Sequence, residues 1–218
     1  LVKSESCNYD SLASQANSAK GSSFKRVLDN LVHSDIIERY TPVDKNGPTN
    51  FVRFKLSDEF LRFHFVFMEP NVSRIQKNNR GRDLYGLLLP QKKYFVWKGR
   101  AFERLIQKHA SFIAEKAGID FVVEQQGSYF SRVANEPQID LMYVRTDKTI
   151  TVCEIKYSEN PVILDKALQA QIIRQKEFLK TTFKGYRLEH WLITNAQVSD
   201  AVKKSDLIQR VINVHDLF

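Results

Sequence analysis

Two β-rich runs, 139–144 and 149–157, are separated only by Arg145, Thr146, Asp147 and Lys148. So short a gap admits an antiparallel hairpin and excludes a parallel crossover, which needs a dozen or more residues. The flanking patterns are built around that hairpin. Before it, 100–117 sets Phe102, Leu105, Ile106, His109 and Ile113 on one helical stripe ended by Gly118, with His109 expected in or beside the core. Residues 121–124 then read as a strand. After the hairpin, Pro161 is expected to open a helix reaching about Thr182, 188–194 reads as a strand, 201–207 as a short helix and 211–214 as a last strand. Strand, long helix, strand is the pattern of a crossover, so the expected class over 99–218 is α/β with a core order α-β-β-β-α-β.

The first seventy residues follow a different plan. A short helix is expected over 9–17, and Ser22 or Ser23 is placed to cap a second one carrying Phe24, Val27, Leu28 and Leu31 at 3.6-residue spacing. Two β-rich pieces follow, 36–41 and 51–56, joined by the turn-forming stretch 42–48. This order predicts an N-terminal winged helix-turn-helix, with Lys20, Lys25 and Arg26 near the start of the helix that would meet a DNA groove. The aromatic-rich stretch 56–70 is expected to pack as a helix against a core or domain boundary. The domain expectation is therefore a winged helix-turn-helix with an aromatic-rich helix over 1–70, a basic connector over 71–98 with a loop at 78–81, and an α/β domain over 99–218.

The net charge of +8 is concentrated in one region. Lys plus Arg balance Asp plus Glu in 1–70 and in 111–218, whereas 71–110 holds ten of the former against two of the latter. Tyr85, Tyr94, Phe95 and Trp97 are interleaved with them. Cations among aromatics suit a polyanion, because phosphate contacts release counterions while rings stack on bases. Lys25, Arg26, Lys92, Lys93, Lys98, Arg100 and Arg104 are the candidate DNA contacts; a solvated connector, or one facing an acidic partner, would have the same composition. The longest apolar runs, 65–68 and 87–89, are too short for a bilayer, so no membrane partner is expected. Two cysteines provide no disulfide framework, which fits a reducing cytoplasm. The first ten residues carry neither an initiator methionine nor a signal sequence, and the chain is expected to be part of something longer. No glycine-rich phosphate loop is present, so ATP binding of that kind is not expected in these residues.

Chemistry concentrates at the hairpin. On the second run Glu154 and Lys156 alternate onto one face, and the short turn can bring Asp140 of the first run towards Glu154. Two adjacent carboxylates repel, which a hard divalent cation relieves, and a neighbouring lysine can stabilise charge growing on a phosphate. The bare motif also describes a solvated strand face with a Glu–Lys pair. Two further features favour the site. Glu103 flanks the apolar stripe of the first helix, and Gln171 and Gln175 fall on the stripe of the later helix that should be buried with Leu164, Leu168, Phe178 and Leu179, where an amide needs a partner.

Gly99, Phe102 and Glu103, the strand start Ile139-Asp140, the run Cys153-Glu154-Ile155-Lys156-Tyr157 and the helix with Gln171 resemble the PD-(D/E)XK superfamily of restriction endonucleases and Holliday-junction resolvases. With the winged-helix pattern and the stretch 54–63, the chain resembles the C-terminal half of archaeal-type prokaryotic AAA+ ATPases. That resemblance implies a restriction-endonuclease-like domain over 99–218, and an ATPase domain, the only one to bind ATP, ahead of Leu1. It implies Mg²⁺ or Mn²⁺ held by Asp140 and Glu154 with the Ile155 carbonyl, Lys156 as water-positioning base or electrostatic catalyst, and Glu103 and Gln171 as accessory ligands. DNA and the chain's own ATPase domain are the implied partners, with oligomers possible. A nuclease fold without catalysis, kept as a DNA-binding or protein-interaction module that regulates the ATPase, is the alternative. Pro137 stands three residues before Asp140 instead of beside it, a departure from the simplest family pattern.

Overall fold

The structure is a computed structural model that describes residues 6–18, 20–43, 51–78, 86, 88, 90–129 and 136–217. Most of the turn expected over 42–48 and of the loop expected at 78–81 lies outside these residues. The chain divides into two compact units, one made of Leu1–Pro42 with Thr49–Phe95 and the other of Val43–Pro48 with Val96–Phe218.

In the first unit, helix α1 (Tyr9–Gln15) is capped by Asn8, whose side chain accepts from the Ser11 amide. Helix α2 (Ser22–His33) follows Gly21 without a side-chain cap, so neither Ser22 nor Ser23 does the capping expected of it; both lie already inside the helix. Strands β1 (Ile37–Tyr40) and β2 (Arg53–Leu56) pair antiparallel, Ile37 opposite Leu56. Cys7 exchanges both main-chain bonds with Phe54 on β2. Leu12, Phe24, Leu28, Ile37, Phe54 and Leu56 close the core. The aromatic stretch is interrupted: α3 (Glu59–Phe63) passes through a π-helical turn at His64–Met68 and a 3-10 turn containing Pro70 before α4 (Val72–Asn78).

The second unit is a five-stranded sheet with helices on both faces. Helix α5 (Lys92–Lys108), which begins in the first unit, and α6 (Ala110–Ala117) replace the single helix expected from Arg100. Residues 92–98 of the expected connector are thus helical, because Gly99 costs only about 1 kcal/mol inside an otherwise favourable sequence. The stripe facing the sheet is Phe102, Ile106, Ala110, Ile113 and Ala114, which leaves Leu105 exposed beside it. His109 corrects the reading more sharply. It lies exposed at the break between α5 and α6, not in the core.

Strands β3 (Val123–Tyr129), β4 (Ile139–Arg145), β5 (Thr149–Lys156), β6 (Arg187–Thr194) and β7 (Arg210–Asn213) lie in that spatial order. The first three are antiparallel, and β5, β6 and β7 run parallel. The β4–β5 turn has Lys148 in the left-handed region. Helix α7 (Lys166–Thr182) makes the crossover from β5 to β6 and short α8 (Asp200–Lys203) the next. Pro161 does not open α7. Val162 pairs with 197–199 instead, and the helix starts after Asp165, whose carboxylate accepts from the Leu168 amide. Strands β4 and β5 are buried on both faces, as a central strand covered by helices must be. Leu141, Tyr143, Cys153 and Ile155 meet α5 and α6; Met142, Val144 and Val152 cluster with Leu179 of α7. The coarse α/β expectation holds.

Candidate functional site

The β4–β5 pairing runs from Leu141 opposite Cys153, and Asp140, the residue just before it, lies close enough to Glu154 for the charge of one to bear on the other. The two carboxylates are therefore electrostatically coupled. Burial, then the negative charge of Glu154, pushes the Asp140 carboxyl up to about 6, against which Lys156 acts only in part.

Glu154 is 4% exposed and is held on both oxygens. Lys156 Nζ lies 2.7 Å from Oε1, and Gln171 Nε2 donates to Oε2 at 2.7 Å. A buried carboxylate engaged by an ammonium and an amide has the partners that its loss of solvent demands. Burial acts to lower the Lys156 ammonium, but the charges of Glu154, Asp140 and Glu103 outweigh it and raise it above the ordinary lysine value. Lys156 thus stays a cation near neutral pH. Glu103, half-buried on α5, is close enough to bear on it.

The strand start is fixed from both sides of the sheet. From α5, Gln107 Nε2 donates to the Asp140 main-chain oxygen at 3.0 Å; from α7, Gln175 Nε2 reaches the Gln138 oxygen at 3.5 Å. Beyond Lys156, Ser158 and Asn195 exchange two bonds of 2.9 Å, which secure the chain as it leaves β5. Two clefts share Gln171 in their walls. One, of about 440 Å³, is lined also by Pro137, Gln138, Arg174 and Gln175; the other, of about 310 Å³, by Lys156, Tyr157, Ser158 and Pro161. Of the candidate residues Gln171 lines both clefts and Lys156 the smaller, while Glu154 lies buried behind Gln171.

Asp140, Glu154, Lys156, Glu103 and Gln171 are the predicted residues gathered here. Gln107 had no signal in sequence, since an amide beside a stripe looks like any solvated residue; Gln175 did, through its place on the buried stripe. Among the described residues no three or more His, Cys, Asp and Glu side chains gather into a group able to hold an ion. The donor set is two carboxylates with a third at longer range, which suits a hard cation that keeps several waters rather than an all-protein cage. Cys153 is inert, since burial pushes its thiol up.

The basic candidates are scattered. Lys25 and Arg26 are exposed on α2, and Lys92 and Arg100 are exposed on α5. Lys93 stands over the Phe67 ring and donates to the Val66 oxygen. Lys98 is paired with Glu159 and stands over Tyr157, while Arg104 is 8% exposed. A phosphate would have to displace the contacts of Lys93 and Lys98, and it cannot reach Arg104 from solvent.

The model of one protein family matches residues 64–181, just over half of the chain. The chain belongs to the DUF234 family. The family's description is archaeal and bacterial proteins of unknown function, and the matched part of this DUF234 chain runs from the π-helical turn through β3, β4 and β5 almost to the end of α7. It contains Glu103, Asp140, Glu154, Lys156 and Gln171. An uncharacterised protein of Methanocaldococcus jannaschii is 23% identical over 141 residues, which cover 64% of the DUF234 chain and 30% of that relative. The match thus spans under a third of the relative's length. No solved structure matches. Among the described residues no helix is long and apolar enough to cross a membrane.

Proposed function

We propose that the chain is the C-terminal part of an AAA+ ATPase, carrying a winged helix and a restriction-endonuclease-like domain that cleaves DNA phosphodiesters with a divalent cation. The observation that carries this reading is Asp140 within electrostatic reach of Glu154, with Lys156 at 2.7 Å from Glu154 and Asp140 held up to about 6. A buried carboxyl raised by burial and by a second carboxylate beside it is a group that a bound cation would relieve. The order α1, α2, β1, β2 is compatible with a winged helix, and the helices, antiparallel β3, β4 and β5, and parallel β5 and β6 support a nuclease-like core. The greater length of the archaeal relative leaves room for a further domain such as an ATPase.

In this reading Asp140 and Glu154 hold Mg²⁺ or Mn²⁺, with the Ile155 carbonyl and Glu103 as further oxygen donors. The bound cation supplies an activated water and polarises the phosphate. Lys156 remains protonated, so its part is to orient that water and to stabilise negative charge on the phosphoryl oxygens, not to act as a base. Gln171 holds the Glu154 carboxylate in its orientation. Exposed Lys25, Arg26, Lys92 and Arg100 contribute screened, sequence-independent attraction for the polyanion.

A second reading has a specific observation in its favour. Both Glu154 oxygens already have partners, which suits a nuclease fold that keeps its geometry without catalysis and serves as a DNA-binding or protein-contact module regulating the ATPase. Labelled linear, branched and single-stranded DNA incubated with the chain in Mg²⁺ or Mn²⁺ separates the two. Cleavage by the native chain and none by Asp140→Ala supports the nuclease; equal background from both removes it.

A further inference from the structure

Strand β4 is irregular where Asp140 stands. Gly127 pairs with Met142 and Tyr129 with Ile139, so the single residue Ser128 faces the two residues Asp140 and Leu141. This is a β-bulge, a device found beside active sites because it re-aims a side chain and interrupts the ladder. The packing shows the interruption. Ile139 and Met142 join the cluster on the α7 side, although alternation alone would separate them, while Leu141 joins the opposite one. Ser128 gives its carbonyl oxygen to the Val43 amide at 2.9 Å. On the other strand, the paired register with β5 begins only at Leu141.

A main-chain oxygen at such a point needs a partner from elsewhere, since a buried carbonyl without one costs about 1–3 kcal/mol. Gln107 supplies it, reaching from α5 to the Asp140 oxygen at 3.0 Å, and the same helix carries Glu103 one turn earlier. We infer that Gln107 is a positioning residue of the candidate site: by bonding the Asp140 carbonyl within the bulge, it sets the Asp140 carboxylate against that of Glu154 so that one divalent cation can be shared. The inference rests on the proposed cation site for its purpose, but not for its geometry. Gln107 acts only through Asp140 and needs no contact with ion or DNA. Bonds to the groups that hold a metal ligand in place typically change metal affinity roughly 10- to 100-fold.

The test uses the full chain and two readouts. In the first, Asp140→Cys with Glu154→Cys is oxidised mildly and the rate of disulfide formation is compared with and without Gln107→Met, which keeps the side-chain length and removes the donor. The expected result is rapid cross-linking that Gln107→Met slows about tenfold or more. In the second, Mn²⁺ is titrated calorimetrically into chains retaining Asp140 and Glu154, with Gln107→Met expected to bind about tenfold more weakly or worse while circular dichroism shows it folded. Unchanged cross-linking and unchanged affinity, with only a lower melting temperature, would overturn the inference by reducing Gln107 to a structural bond. A native chain that binds no Mn²⁺ but whose cross-linking still depends on Gln107 instead removes the cation site and leaves the positioning role. Should Gln107→Met not fold, Gln107→Asn, which keeps the amide but shortens its reach, carries the same comparison.

Discussion

The two ends of the β4–β5 hairpin hold charged clusters of opposite character. At the turn, Arg145 is bonded to Asp147 at 2.5 Å and to Glu189 at 3.2 Å, and Arg187 meets Glu189 at 2.8 Å. Two cations face two anions. Burial pushes the Asp147 carboxyl up, but the bonds from Arg145 and Thr149 outweigh it and hold it below the usual range. At the other end, the charges of Glu154, Asp140 and Glu103 all act on Lys156, and burial and then Glu154 hold Asp140 up to about 6. A carboxylate held low by its partners is structural, whereas one pushed up by burial has a cost that folding alone does not explain.

The largest contrast expected between the ends is in activity. Asp140→Ala, Glu154→Ala and Lys156→Ala should each reduce Mg²⁺-dependent DNA cleavage by about a hundredfold or more, in line with the loss of one electrostatic group at a reacting centre. Arg145→Ala should leave the rate within about twofold under the same assay. If both ends affect the rate alike, the comparison is broken and the carboxylates act only through the fold.

Next in size is the shared core between the two ends. Ile155→Ala removes a side chain 2% exposed against α5 and α6 and is expected to cost about 3 kcal/mol, read as a fall in the urea midpoint. A loss under about 1 kcal/mol would mean that the helices over this face close up on the gap.

The third effect depends on pH. The Asp140 pKa of about 6 lies above the ordinary carboxylate value, so the unfolded chain gives up this proton first and the folded state is penalised as pH rises from about 4 to about 6. Asp140→Asn should therefore stabilise the cation-free protein at about pH 7 by on the order of 2 kcal/mol, with the advantage gone below about pH 4. Urea unfolding in chelator at both pH values reads it; a variant no more stable near neutrality than in acid, relative to the native chain, would contradict the strained pair. Saturating Mn²⁺ should reverse the ranking near neutral pH, since only the native chain keeps both ligands.

Smallest is the turn cluster itself. Arg145→Ala should cost about 1 kcal/mol or less in thermal melts, and high salt should shrink the difference, as for other partly exposed ion pairs.

Much of this was legible in the sequence. The hairpin, the crossover helix and the pairing of Glu154 with Lys156 follow from period and spacing, because strand alternation and short turns are local rules. Gln171 was found because an amide on an apolar stripe contradicts the pattern around it. The parts missed depend on tertiary placement. His109 satisfies helical spacing, yet the chain breaks its helix there and the sheet-facing stripe passes through Ala110. Pro161 resembles a helix start, but Val162 finds a strand partner and Asp165 offers the better cap. The bulge at Asp140 leaves no trace in composition, so Gln107 could not be connected with it. Arg104 looked like one more surface cation, and only burial on α5 separates it from Arg100.

The order of the strands along the chain bears on how the protein is assembled in time. Strands β4 and β5 meet after closing a loop of a few residues, whereas the parallel pairing of β5 with β6 must await the whole of 157–186. Loop closure of the shorter span is less costly, so the hairpin is the natural nucleus and α7 docks later. Asp140 and Glu154 are then brought near one another on the hairpin before Gln171 of α7 is in place. Should the proposed site bind a divalent cation, that ion is expected to raise the refolding rate in a stopped-flow experiment as well as slow unfolding, and a refolding rate indifferent to Mn²⁺ would place any binding after the hairpin forms.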